Sequence, residues 1–126
     1  IDDTYNANLG SVKAAIDVLQ QCQGQRCFML GDLGELGQQE LQLHQRIGTQ
    51  VAAAGIEQFY AFGELAAAAV DSYLRAGGNY GKICVNKQEL SSCFEQLPKV
   101  DLSCLVKGSR SSQMEQVVET LISDGI

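Results

Sequence analysis

Apolar residues recur along this chain with two spacings that alternate. Val12, Ile16 and Leu19 lie three or four positions apart, as on one face of a helix. Residues 26–30 then form a short, mostly apolar run that is typical of a buried strand, and the alternation continues along the chain. The pattern predicts helices at residues 11–22, 38–54, 64–76, 87–96 and 113–123, and strands at residues 26–30, 58–62, 82–85 and 102–106.

This order of elements predicts the fold class. Strands that alternate with helices are joined by right-handed crossovers, which place the strands in a mostly parallel sheet. We therefore expect an α/β, Rossmann-like fold in which helices cover both faces of the sheet, giving three αβα layers. A length of 126 residues suits a single domain, residues 1–126. Such sheets bind ligands beyond the carboxyl ends of their strands, so the segments after the strands are the candidates for chemistry.

Composition and charge argue against several classes of partner. The net charge of −6 disfavours a nucleic acid and an anionic membrane surface, because both require clustered cations. The longest apolar stretches, such as residues 51–54 and 65–70, are too short to span a bilayer, and no secretory leader is visible. With 45% hydrophobic and 19% charged residues the composition is that of an ordinary soluble globular domain.

The five cysteines, at positions 22, 27, 84, 93 and 104, also indicate a reducing compartment. Their number is odd, and no CxxC pair occurs. Cys27, Cys84 and Cys104 lie within apolar runs, so we expect them to be small core residues. With one histidine and no paired cysteines, the chain offers little material for a zinc site, and we expect no metal in it.

The first of three polar segments is Asp2-Asp3-Thr4-Tyr5-Asn6-Ala7-Asn8-Leu9-Gly10-Ser11, which we expect to form a loop before the first helix. Asp and Asn are ordinary turn and N-cap residues, so a structural role explains part of it. The tyrosine is less usual in a turn. A carboxylate beside an aromatic ring and an amide could also bind a nucleoside, with the carboxylate on the ribose and the ring and amide at the base.

Two further polar segments follow predicted strands. Residues 31–37, GDLGELG, match neither the GxGxxG dinucleotide fingerprint nor a P-loop, so a plain turn is the simpler interpretation. Residues 107–112, KGSRSS, bring two cations, hydroxyls and backbone N–H groups to a helix start, which suits a carboxylate or phosphate as well as a solvated turn. His44 lies on the apolar stripe of its helix, where a satisfied, half-buried role is favoured over a catalytic one.

Three motifs, in this order and at these distances, resemble the C-terminal domain of the Mur ligases. They are DDTYNAN at 2–8 followed by GS at 10–11, GDLGELG at 31–37, and VKGSR at 106–110. The resemblance runs from residue 1 to the end of the chain. DDTYNAN together with VKGSR is most similar to the family member that uses D-Ala-D-Ala as its amino component.

The resemblance implies a place in cytoplasmic peptidoglycan synthesis, and hence in cell wall biogenesis, cell shape and division. That member uses ATP to convert the carboxylate of UDP-N-acetylmuramoyl-tripeptide to an acyl phosphate, which the amine of D-Ala-D-Ala then attacks. Its first domain binds the UDP-sugar, and its central domain is an ATPase with a P-loop and magnesium. Its third domain is Rossmann-like and presents the amino component.

This chain contains no P-loop, and its first residue, Ile1, already belongs to a motif. We therefore expect it to be the third domain, cut from a longer chain whose N-terminal and central domains are its partners. On this view the domain is inactive alone and monomeric. It holds no cofactor tightly, and the central domain holds the magnesium.

Carried over residue by residue, the resemblance implies a role for each motif. Contacts to the nucleotide are implied for Asp3, Tyr5 and Asn6, and contacts to D-Ala-D-Ala for Lys107, Ser109 and Arg110. Residues that line the cleft are implied to be Asn8, Asp32, Glu35 and His44.

The sequence departs from the family's pattern at three positions and leaves alternatives open. Leu9 stands where proline is usual, Leu33 where methionine is common, and Ser111 where glycine is frequent. One alternative is the same domain of another Mur-type ligase with a different amino component. Another is a stand-alone Rossmann-like module that binds a nucleotide or small anion. A dinucleotide oxidoreductase is disfavoured by the glycine spacing.

Overall fold

Helices and strands alternate along the chain in the computed structural model. The structure describes residues 3–33, 37–98 and 100–108, and at residues 3–9 and 11 it describes the backbone alone. The helices are α1 (Asp3–Gln21), α2 (Glu40–Ala53), α3 (Glu64–Arg75) and α4 (Lys87–Gln96), and a single 3-10 turn, Gly37–Gln39, precedes α2. The strands are β1 (Gln25–Gly31), β2 (Gln58–Phe62), β3 (Tyr80–Cys84) and β4 (Leu102–Lys107).

The four strands form one parallel sheet in the order β3-β2-β1-β4. The chain steps from β1 to β2 and on to β3 in one direction, and then crosses back to place β4 on the far side of β1. Crossovers of one hand put the helices of the two forward steps on one face and the helix of the return on the other. The predicted parallel α/β fold is confirmed for the described residues.

Two apolar clusters, one on each face of the sheet, define the three layers. The larger cluster packs Phe28 and Leu30 of β1 against α1, α2 and α3. The smaller cluster packs Cys27 and Met29 of the same strand against α4. Because successive residues of a strand point to opposite faces, β1 supplies both clusters, and all four of these side chains are fully buried. The prediction of helices on both faces is confirmed.

The three cysteines predicted to be core residues are buried. Cys27, Cys84 and Cys104 lie in the smaller cluster, and all five cysteines of the chain are free thiols. Burial raises the pKa of the Cys27 thiol, which disfavours the reactive thiolate. These three side chains therefore act as small apolar residues.

Helix α1 begins earlier than the sequence predicts. Residues 3–10, expected to form a loop, are its first turns, and the helix continues to Gln21. Residues 3–21 contain no proline, and leucine at position 9 is a good helix former, so the sequence permits the helix to continue through this segment. A proline at this position would allow a helix to start there but not to run through it.

The other elements lie close to their predicted positions. Strand β3 starts two residues before the predicted 82–85, because its pairing with β2 begins where Tyr80 is aligned with Gln58. The predicted first turn of residues 38–54 is the 3-10 turn that precedes α2. The last predicted helix, residues 113–123, lies outside the described residues.

Helices α2 and α3 approach each other closely at a glycine. Gly48 of α2 is buried, and a Cβ built on it would overlap the backbone carbonyl of Ala69 in α3. Ala66 and Ala69 of α3 are fully buried, and the carbonyl oxygen of Ala69 is the atom nearest to that Cβ position. The alanine-rich sequence of α3 thus has a packing role as well as a helix-forming one.

At the amino end of the sheet, Arg26 ties three segments together. Its guanidinium donates to the carbonyl oxygens of Gln20 (3.0 Å) and Gly55 (2.7 Å), and its Nη2 lies 2.8 Å from Oε2 of Glu57. Glu57 also accepts the backbone N–H of Arg26 at 3.0 Å. The hydrogen bond from the Arg26 side chain is the main cause that lowers the pKa of Glu57.

We expect two helical glycines to respond in opposite ways to alanine. Gly48→Ala should lower the free energy of unfolding by about 1–3 kcal/mol, because α2 and α3 would have to separate. Gly10→Ala should raise it by about 0.5–1 kcal/mol, because a Cβ at Gly10 meets no atom within 4 Å and alanine favours the helix. Urea unfolding of both variants measures the difference, and a loss of equal size in both would contradict the close contact.

The Arg26–Glu57 pair should make stability depend on pH in the acid range. Since the pKa of Glu57 is lowered by folding, the stabilisation is present above its ordinary pKa of about 4.3 and is lost as the pH falls below it. Glu57→Gln should cost about 1 kcal/mol at pH 7 and less at pH 3. Thermal unfolding of wild type and Glu57→Gln between pH 3 and pH 7 measures this difference in stability. Asp17→Asn, in the exposed Lys13–Asp17 pair, is the control and should change little.

Candidate functional site

The carboxyl ends of β1 and β4 form the edge at which the strand order reverses. Leu30 of β1 is the register partner of Lys107 of β4. The chain moves outward from β1 through β2 to β3 and returns on the other side of β1 as β4. In open α/β sheets the crevice beyond the carboxyl ends at such a reversal is where ligands bind. This edge is therefore the candidate site.

Lys107 brings a positive charge to this edge. It is the last residue of β4, and it is partly exposed. Its side chain is on the face of Leu105, which packs against the larger cluster. No described residue forms a salt bridge with Lys107, whereas Lys13 and Lys82 each pair with a carboxylate. Within the described part of the chain, its ammonium group is thus available to bind an anion.

Asp32 follows β1 and bonds to a helix beyond the neighbouring strand. Its Oδ1 accepts the backbone N–H of Ala66, near the start of α3, at 2.8 Å. An N-cap side chain normally makes this bond, but the N-cap residue of α3 is Gly63, which has no side chain. Gly63 has a φ of 115°, and a Cβ there would overlap the Asp32 carboxylate. Asp32 therefore caps α3, with its charge at the positive end of the helix.

His44 lies beneath the turn that follows β1, and its ring is 0% exposed. Nδ1 is 2.7 Å from the carbonyl oxygen of Glu40, and Nε2 is 3.0 Å from the backbone nitrogen of Leu33. A carbonyl can only accept and an N–H can only donate, so the proton is on Nδ1 and Nε2 accepts. The side chain supports the turn from the interior and has no surface on the cleft.

Helix α1 reaches the same edge with its first turns. It packs against β4 and leads through residues 22–24 into the start of β1, so it runs antiparallel to the strands. Its amino end is therefore at the carboxyl edge of the sheet. The backbone there belongs to the predicted nucleotide and cleft residues Asp3, Tyr5, Asn6 and Asn8.

The structure thus brings part of the predicted site to one edge. Asp32 and Lys107 follow or end two neighbouring strands, and the amino end of α1 accompanies them. Three predicted site residues lie outside the described part of the chain: Glu35, Ser109 and Arg110.

The sequence analysis missed the two hydrogen bonds that fix the turn after β1. The bond between Asp32 and Ala66 could have been anticipated from the sequence. Gly63 precedes a helix that begins Glu-Leu-Ala, so a capping side chain has to come from elsewhere in the chain. No sequence feature predicts the bond between His44 and Leu33, because its donor is a backbone N–H that any residue except proline would supply.

The described residues contain no cluster of three or more His, Cys, Asp or Glu side chains placed to hold a metal ion. The helices of the described ranges also include none that combines the length and the apolar character needed to cross a membrane.

Removing the carboxylate of Asp32 should destabilise the domain, because the amino end of α3 loses its cap. Asp32→Ala should cost about 0.5–2 kcal/mol, the usual value of an N-cap, and Asp32→Asn should cost less because its amide oxygen can still accept. Denaturant unfolding measures both. Asp71→Asn, in an exposed pair on the same helix, is the control and should change stability by less than about 0.5 kcal/mol. Equal values for all three variants would contradict the cap.

Known proteins are similar to this chain over nearly its whole length. A family model described as "Mur ligase, glutamate ligase domain" matches residues 1–110. The UDP-N-acetylmuramoyl-tripeptide–D-alanyl-D-alanine ligase of Buchnera aphidicola subsp. Acyrthosiphon pisum is 37% identical over 98% of the chain. The ligase of the same name from Escherichia coli is 35% identical over 99% of the chain.

A solved structure is similar to the same extent. A crystal structure of MurF from Acinetobacter baumannii superposes with a TM-score of 0.72 at 33% identity and covers 99% of this chain. This chain spans only 27% of the length of that protein, and 27% of each of the two ligases.

Proposed function

Because this chain belongs to the Mur ligase family, we propose that it is the domain that presents D-Ala-D-Ala in a ligase acting on UDP-N-acetylmuramoyl-tripeptide. The observation that carries the proposal is Lys107, a cation without a described ion-pair partner at the reversal of strand order. D-Ala-D-Ala ends in a carboxylate, and a lysine at this position suits such a group.

The proposed reaction divides between this domain and others. The carboxylate of the tripeptide takes the terminal phosphoryl group of ATP, which leaves as ADP, and becomes an acyl phosphate. The amine of D-Ala-D-Ala then attacks the carbonyl carbon, and the new amide bond forms as the amine loses a proton and phosphate leaves. The contribution of this domain is to bind and orient the dipeptide, because holding two reactants in place lowers the barrier to their reaction. The domain is expected to be inactive alone.

The nucleotide side of the proposal rests on helix α1. Asp3, Tyr5 and Asn6 belong to its first turns, at the same edge of the sheet as Lys107. We assign them to the ATP, with Asp3 at the ribose and Tyr5 and Asn6 near the base. Asn8 and Glu35 are assigned to the cleft, and Ser109 and Arg110 to the dipeptide beside Lys107.

The remaining parts of the proposal concern the rest of the protein. On the family resemblance, we assign magnesium to a central domain of the same chain. An N-terminal domain would bind the UDP-sugar. We place the monomeric full-length ligase in the cytoplasm, where it would contribute to peptidoglycan synthesis and through it to cell shape and division.

Lys107→Ala in the full-length protein should impair use of the dipeptide much more than use of ATP. The loss of one charged hydrogen bond predicts a KM for D-Ala-D-Ala raised roughly 10- to 100-fold, with the KM for ATP changed less than about twofold. Steady-state kinetics of phosphate release, with each substrate varied in turn, measures both constants.

The matched control is Lys82→Ala, since Lys82 is on the edge strand β3 and pairs with Glu89. We expect both of its KM values to stay at the wild-type level. If Lys107→Ala leaves the dependence on D-Ala-D-Ala unchanged, the assignment of Lys107 to the dipeptide is wrong. If the wild-type protein does not turn over D-Ala-D-Ala at all, the proposed amino component is wrong.

A further inference from the structure

The side chain of His44 is fully buried in the described core, and both of its ring nitrogens are used. The bond from Nδ1 to Glu40 stays within α2, since the two residues are four apart. The bond to Nε2 comes from Leu33, outside the helix. The ring therefore joins α2 to the turn that follows β1.

Leu33 is held at both its backbone and its side chain. Its N–H donates to His44 at 3.0 Å, and its side chain is 2% exposed within the larger cluster. The preceding residue, Asp32, is held by Ala66 of α3 at 2.8 Å. Two consecutive residues are thus anchored to two different helices, directly after the strand ends.

These anchors lie next to the proposed dipeptide site. Leu30 is aligned with Lys107 in the sheet, so the residues after Leu30 form the wall of the crevice beside that lysine. A backbone N–H that points inward to His44 also fixes the direction in which the chain leaves β1. A displacement of about 1 Å at a site can cost up to roughly 100-fold in rate, so a fixed wall has functional consequences.

We propose that His44 is a positioning residue for the amino component, which it serves by holding the Leu33 backbone and hence the crevice wall beside Lys107. This inference rests on the proposed function for its substrate. His44 touches no substrate, and it transfers no proton. What the site requires of residue 44 is an acceptor at the position of Nε2, reached from the interior.

Two substitutions distinguish the hydrogen bond at Nε2 from the one at Nδ1. In His44→Gln the longer side chain can place its amide oxygen near the position of Nε2 and accept from Leu33. In His44→Asn the amide can replace Nδ1 toward Glu40 but is too short to reach Leu33. Ile47→Val, at a fully buried position one turn along α2, is the control for a general loss of core stability.

The experiment measures two readouts in the full-length protein. The first is steady-state KM for D-Ala-D-Ala and for ATP. The second is hydrogen exchange, followed by mass spectrometry, of the peptide that contains Leu33. His44→Asn should raise the KM for D-Ala-D-Ala roughly tenfold and speed the exchange about tenfold, the effect of losing one buried hydrogen bond. His44→Gln should restore both values to within about threefold of wild type.

Any other result contradicts a specific part of this proposal. If His44→Asn leaves the KM unchanged, or if Ile47→Val raises it equally, His44 is not a positioning residue. If Gln fails to rescue either readout, the acceptor at Nε2 is not what the site requires. If the wild-type protein does not use D-Ala-D-Ala, the proposed function is wrong. If His44→Asn does not change the hydrogen exchange of the Leu33 peptide, His44 does not hold the Leu33 backbone.

Discussion

Burial of β1 on both of its faces is the constraint on which the other elements depend. Residues 27–30 alternate between the two apolar clusters and leave no surface to water. A strand in this position needs a neighbour on each side and helices above and below. The chain meets that need by stepping outward to β3 and returning as β4, and the return creates a crevice at the carboxyl end of the sheet.

The two ends of the sheet are fixed by different chemistry. At the amino end, Arg26 uses its guanidinium to join a helix end, a turn and Glu57. At the carboxyl end, Asp32 accepts a hydrogen bond from Ala66 of α3, and His44 of α2 accepts one from Leu33, so the turn after β1 is tied to both helices. Within the described residues no carboxylate forms a salt bridge with Lys107 at this end.

Among the described residues, a hydrogen-bonded turn beside an unpaired Lys107 suits a domain that supplies only part of a site. The matched ligases are nearly four times as long as this chain, which leaves room in them for further domains. On our proposal, this domain completes the site by closing over it. An acyl phosphate reacts with water, and closure of a domain over it would exclude that water.

The sequence by itself determined the alternation of helices and strands, the parallel sheet and its three layers. These follow from local periodicity and from the hand of crossovers, which are properties of the chain alone. It also pointed to Lys107, because a cation after a strand is visible in the sequence. Only the tertiary structure decided the roles of Asp32 and His44, since their partners are backbone N–H groups that any residue carries. Residues 3–10 are also helical in the structure, although their polar sequence predicts a loop.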